Sequence, residues 1–238
     1  RVASRGLGDV YKRQIIIIGG SRGIGKAIVD TLLPKHQVIN ISRNTPDYSN
    51  ANLTHHSCDV TTSALPEINQ ADGLIYCPGS INLKPFKRLS LEDFRNDFEI
   101  NVMGAVKAIQ AYTPALSQSD SGSIVLFSTV ATSLGMPFHA SIATAKSAVE
   151  GLTKSVAADL APNIRVNAIA PTITETDLAA KLLRNERMIE NTIQRHPLKK
   201  FLAPSEVASM ARYLISEESK SISGQIFKLD CGIVSLKI

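Results

Sequence analysis

The sequence predicts an α/β fold, a single doubly wound domain built on a seven-stranded parallel sheet. Two observations carry this expectation. From Ile15 onward, short β-rich apolar runs alternate with amphipathic helical stretches, the pattern of parallel strands joined by crossover helices. The 238 residues can bury one large core without dividing into domains, and no repeat, low-complexity tract or Pro/Gly-rich linker interrupts them.

Taken in order, the strands are expected at "IIII" (15–18), "QVINI" (37–41), "HHS" (55–57), "GLIY" (73–76), "SIVLF" (123–127), "IRVNAIA" (164–170) and "QIFKL" (225–229). Helices fall between them: "GKAIVDTLLP" after the first strand, a long one over 91–116, another over 141–160, and "SEVASMARYLIS" near the end. Ser90 with Asp93 three residues on reads as a capping box, and Ser205 before Glu206 and Ser141 before its helix read as N-caps. Residues 174–197 are helical in character, with basic patches. Lying after the sixth strand, they are placed to form a lid.

The opening "RVASRGLGDVYKRQ" has no signal-peptide core and no amphipathic period, so residues 1–14 are set aside as a non-native N-terminal scar and the domain is drawn over 15–238. A natural N-terminal extension is the other reading. The choice bears on charge, because Arg1, Arg5, Lys12 and Arg13 against Asp9 supply three of the five net positive charges. What is left is too little to suggest nucleic acid. No apolar run reaches the roughly 18 residues of a membrane span, and the expected location is cytoplasmic. Cys58, Cys77 and Cys231 are odd in number and form no CxxC pair, and His55 and His56 are adjacent, so reduced thiols and no metal site are expected.

Chemistry enters at "IIIIGGSRGIGKAIV". Gly19, Gly23 and Gly25, with Ser21, Arg22 and Ile24 between them, stand where the first strand turns into a helix. Glycine there allows a tight turn and the close approach of a pyrophosphate to backbone N–H groups and the positive helix end. The second strand ends in Ser42 and Arg43, where an acidic residue would accept the ribose hydroxyls of NAD. Arg43 and Arg22 could instead clamp a 2′-phosphate, which favours NADP(H).

With these residues the chain resembles a short-chain dehydrogenase/reductase, similar to the 3-oxoacyl-carrier-protein reductase branch, over nearly all of 15–233. The resemblance implies a Rossmann-type fold, a homo-oligomer (dimer or tetramer), and hydride exchange between NADP(H) and a small-molecule carbonyl or alcohol. Asp59 and Val60 match its adenine contact, and Gly79 is the one residue kept of its Asn-Asn-Ala-Gly turn, with Tyr76 and Cys77 read as packing residues. Asn101 matches the active-site asparagine. Pro171, Ile173 and Thr176 match the segment that approaches the nicotinamide, with Thr172 in place of a glycine, and Cys231 replaces a glycine after the last strand.

The family's serine, tyrosine and lysine fall, by spacing back from Lys146, on Thr129, Ile142 and Lys146. Thr129 keeps a hydroxyl and Lys146 a cation, but Ile142 has no proton to give. The resemblance makes that position the general acid, whose removal typically costs about 10²–10⁴ in rate. Three readings stay open. Another group, such as His139 seven residues before Lys146, donates the proton; the protein binds NADP(H) as an inactive structural or sensory relative; or the product needs no enzymic donor. The basic lid could meet an acidic carrier protein or a thioester, or be a solvated face.

Overall fold

The computed structural model describes residues 12–237. Seven strands are present: β1 (Gln14–Ile18), β2 (Gln37–Ser42), β3 (Leu53–Ser57), β4 (Gly73–Tyr76), β5 (Gly122–Phe127), β6 (Ile164–Pro171) and β7 (Ile226–Leu229). They form one all-parallel sheet in the order β3-β2-β1-β4-β5-β6-β7. The helices are α1 (Gly23–Leu32), α2 (Leu91–Phe98), α3 (Gly104–Leu116), α4 (Ala140–Leu160), α5 (Glu186–Arg195) and α6 (Pro204–Ile215).

The four isoleucines of β1 show why the sheet is covered on both sides. Alternate side chains leave a strand on opposite faces, so Ile16 and Ile18 join a core with Ala105, Ala108 and Tyr112 of α3 and Ala145 and Val149 of α4. Ile15 and Ile17 join a second core with Ile28 and Val29 of α1 and Val207, Ala211 and Leu214 of α6. The chain order reverses between β1 and β4. A crevice therefore opens at their carboxyl ends.

Three expectations need correction. The fold begins before Ile15: Gln14 opens β1, and the buried Arg13 donates to the carbonyls of Ile215, Asp72 and Ser121 at 2.6, 2.9 and 2.8 Å; residues 1–11 lie outside the described residues. Ser205 is not an N-cap. Pro204, preset for the first helical position, starts α6 one residue earlier, and Glu206 accepts from the Ala203 N–H at 2.9 Å. Nor is Ser141 a cap, since α4 starts at Ala140 from His139 and buries Ser141 in its first turn. The Ser90–Asp93 capping box is present as expected.

The long helix over 91–116 is continuous but not regular. A π-turn, Glu99–Met103, joins α2 to α3 and inserts Asn101 at its centre. Tyr76 at the end of β4 donates its hydroxyl to the Ile100 carbonyl at 2.6 Å. Gly104 is what admits it, because a Cβ there would stand 2.1 Å from the tyrosine oxygen.

Candidate active site

Backbone conformation and close packing require glycine at this turn. Gly19 has φ +80 and Gly23 φ +55, values that favour glycine. A Cβ on Gly25 would lie 2.1 Å from the Gly19 carbonyl oxygen, so only glycine lets α1 pack this close to β1. The loop is also pinned from β2, where the buried Asn40 accepts from the Gly20 N–H at 3.0 Å. At the N-terminus of α1, Arg22 caps with no side-chain bond and no acidic residue occupies the first turn. The first amides and the positive helix end are thus open to an anion.

A cleft of about 500 Å³ runs from this turn across the crevice, lined by Gly19, Ser21, Arg22, Gly23, Ile24, Gly25, Arg43, Asp59, Val60, Gly79 and Thr176. Arg43 Nη1 stands 4.0 Å from Asp59 Oδ2 with its side chain 71% exposed; Asp59 is held below the usual carboxylate range chiefly by the Thr61 hydroxyl and N–H. Ser42 is buried and donates to the Asn44 carbonyl, so it offers the cleft no free hydroxyl hydrogen. Size, glycine turn, open helix end and basic rim fit a dinucleotide.

The cleft continues into a larger cavity of about 820 Å³ that shares Ile24, Cys77, Gly79, Thr176 and Leu178 with it. Thr129, His139, Ile142, Lys146, Pro171, Ile173 and Thr176 all line this cavity. Asn101 lies behind Gly79: a Cβ on Gly79 would be 3.3 Å from Asn101 Oδ1 and 3.6 Å from Lys146 Nζ. The residues selected by spacing therefore converge.

Their chemistry differs one from another. Lys146 is buried and donates to the Phe127 carbonyl at 2.8 Å. Burial lowers it to about 8, against the opposing influence of Cys77 and Asp97, while burial pushes the Cys77 thiol up to about 12. Thr129 accepts from the Ala131 N–H at 3.3 Å and faces the cavity, whereas the neighbouring Ser128 hydroxyl is spent on Glu150 at 2.5 Å. Ile142 is 5% exposed, an apolar wall where a proton donor is expected. His139 has Nδ1 2.7 Å from the Pro137 carbonyl, so Nδ1 carries the hydrogen and only Nε2 remains for other partners.

Sequence reasoning missed two polar groups, one buried behind the cavity-lining Ser80 and one in the cavity wall. Asp97, one turn before Asn101 and 2% exposed, accepts from Ser80 Oγ at 2.5 Å and from Ser141 Oγ at 2.6 Å. Its only signal was an acid on the inner face of an amphipathic helix. The other is His196, buried in the wall. Its Nδ1 donates to the Thr192 carbonyl and the Thr172 hydroxyl sits on Nε2, both at 2.7 Å. The lid segment is partly helical, with a 3-10 turn, Asp177–Leu182, followed by α5, and both contribute to the cavity wall.

Comparison with known proteins follows the same lines. A family model described as enoyl-(acyl carrier protein) reductase matches residues 50–234. A 3-oxoacyl-(acyl-carrier-protein) reductase FabG of Thermotoga maritima is 33% identical over 74% of this chain and 71% of its own. The reductase MabA of Mycobacterium tuberculosis is 28% identical over 93% of this chain and 92% of its own. Among solved structures, the aldohexose dehydrogenase of Thermoplasma acidophilum is 28% identical and superposes with a TM-score of 0.87 over 98% of each chain.

Proposed function

Because the chain belongs to the short-chain dehydrogenase/reductase family, we propose that it is an NADP(H)-dependent oxidoreductase that interconverts a carbonyl and an alcohol with a proton route displaced from position 142. The observation that carries this reading is the shared wall between the glycine-turn cleft and the cavity holding Thr129, Ile142 and Lys146. Bound there, the nicotinamide cofactor supplies or accepts the hydride. The chain's own residues hold and orient: the glycine turn and α1 take the pyrophosphate, Asp59 and Val60 the adenine side, Lys146 the ribose next to the reacting ring, and Thr129 the substrate oxygen. Ile81, Leu83, Met136, Phe138 and Leu182 give the cavity an apolar share of its wall, which suits an apolar carbonyl compound.

Preference for the 2′-phosphate rests on Arg43 and Arg22. The Arg43–Asp59 pair is exposed, and such pairs are weak, so the guanidinium is free to turn to a phosphate. NADPH is expected to bind more tightly than NADH in a fluorescence titration, and Arg43→Ala to remove about tenfold of that preference. Equal affinity in the unchanged protein would defeat the assignment. A substrate panel run with NADPH beside the Ile142→Tyr variant tests turnover, and His139→Phe tests the imidazole as donor. Tight NADPH binding without hydride transfer to any substrate would establish the inactive, cofactor-binding alternative. Among the described residues no helix is long and apolar enough to cross a membrane. The homo-oligomer implied by the resemblance is checked by sedimentation.

A further inference from the structure

A buried carboxylate is costly unless its lone pairs are satisfied, and Asp97 meets that need with two serine hydroxyls. Ser80 is the one of these that reaches the cavity wall. Its hydrogen goes to Asp97 Oδ1, and one lone pair takes Asn101 Nδ2 at 3.0 Å. One lone pair is left. Beside it, Asn101 Oδ1 is buried without a protein partner among the described residues, while Asn101 Nδ2 is fixed by the Asp97 carbonyl at 2.7 Å. One hydroxyl able to exchange a proton, Ser80, thus lines the same cavity as Ile142, which has no polar side-chain atom, and the Asn101 amide oxygen behind Gly79 can accept a hydrogen bond.

We propose that Ser80 and Asp97 are the proton route of this site: Ser80 exchanges the proton with the substrate oxygen, and Asp97, acting through Ser80, holds it. The inference rests on the oxidoreductase reading above. In alcohol oxidation the carbinol C–H bond breaks and hydride passes to the nicotinamide cofactor. The substrate O–H proton passes to Ser80 Oγ, the serine's own hydrogen moves to Asp97 Oδ1, and the C–O bond becomes C=O. Alcohol and oxidised cofactor give carbonyl, reduced cofactor and one proton on Asp97, which returns through Ser80 to water in the cavity once the product has left. Reduction runs the same transfers backward. Serine alone is a poor base, and the carboxylate behind it supplies the acceptor. Ser141 on α4 orients that carboxylate from its other oxygen, and Lys146 is the cation whose field reaches it.

The test uses the full chain with NADPH and ethyl acetoacetate, and NADP with ethyl 3-hydroxybutyrate for the reverse direction. Asp97→Asn keeps the size of the side chain and is expected to lower kcat by about 10²-fold with KM held within about twofold. NADPH affinity, read by fluorescence, stays within about twofold of the unchanged protein, because Asp97 is not in the cofactor cleft. Ser80→Ala lowers kcat likewise, and carries the test if Asp97→Asn does not fold. In an Ile142→Tyr background the loss from Asp97→Asn shrinks below about threefold, since the tyrosine then supplies the proton. The proposal is overturned if Asp97→Asn turns over like the unchanged protein, if NADPH affinity falls in step with rate, or if the loss is equally large beside Tyr at 142. Loss of turnover in His139→Phe with full activity in Asp97→Asn assigns the proton to the imidazole and overturns it too. An unchanged protein that binds NADPH but transfers no hydride sinks the oxidoreductase reading itself, and this inference with it.

Discussion

In the proposed function position 142 is where a proton donor is missing, and its neighbours make that reading testable. Ile142 borders a cavity of about 820 Å³, one helical turn before Lys146, so a tyrosine can extend into free space from a fixed backbone. Under the proposed function, placing an acid there with Ile142→Tyr is expected to raise ethyl acetoacetate reduction by about tenfold or more; no gain in a folded variant would show that Thr129 and Lys146 are not poised around it. Lys146 makes a second prediction. Folded, it sits at about 8 against the ordinary 10.5, with burial the main cause. Between these values the unfolded chain binds the additional proton, so this group makes stability lowest below about pH 8 and rising from there towards 10.5. Lys146→Met should flatten that rise in urea melts at pH 7.5 and 10. A rise that survives the substitution must come from other groups. The family resemblance, laid on the spacing back from Lys146, made Thr129, Ile142 and Lys146 legible. Nothing local announced that Asp97 would meet Ser80 and Ser141, which lie 17 and 44 residues away.

At the level of elements, the π-turn is the clearest case of structure added by packing. Apolar positions such as Val102, Ala105 and Tyr112 mark a long helix, and a one-residue widening of a turn leaves that pattern almost unchanged. What stabilises the widened turn is remote: Tyr76 from β4 donates to the Ile100 carbonyl through the gap at Gly104. π-turns tend to mark functional positions, and here the turn holds Asn101 beside Gly79. Gly104→Ala should push Tyr76 off that carbonyl, cost about 1–3 kcal/mol of stability, and lower turnover through Asn101. Calorimetry with a parallel assay checks both, and an unshifted melting temperature would show that the pocket relaxes freely. The helix starts teach a smaller lesson. The capping box at Ser90 was legible because both partners are local, whereas Ser141 looked like a cap until its burial against α2 gave it a different partner.

Across the whole molecule, the reversal of strand order between β1 and β4 brings the glycine turn, the loop after β4 and the start of α4 to one edge of the sheet. The lid segment, 174–197, forms part of the cavity wall there. Its tie to the sheet is the buried Thr172–His196 pair, which joins the end of β6 to the end of α5. Thr172→Val keeps the volume but leaves the imidazole Nε2 without a donor, at a cost of about 1–3 kcal/mol. Faster hydrogen exchange in α5, with the sheet amides unaffected, is the expected result. Unchanged exchange would mean that other contacts, such as the Thr174–Leu202 bridge, hold the lid.

Ile142 is singled out by the family resemblance laid on the spacing back from Lys146; the doubly wound sheet, its seven strands and the glycine turn were determined by the sequence itself. These are local or periodic properties, written in runs of a few residues and in the fixed geometry of a strand or helix turn. Only the tertiary structure decided that Arg13 is built into the fold, that the long helix widens at Asn101, and that Asp97 is buried against two serines, of which Ser80 lines the cavity. Each of these depends on which distant segments are pressed together. A hydroxyl or a carboxylate takes its role from the partner that packing supplies, and that partner is not encoded in the residues beside it.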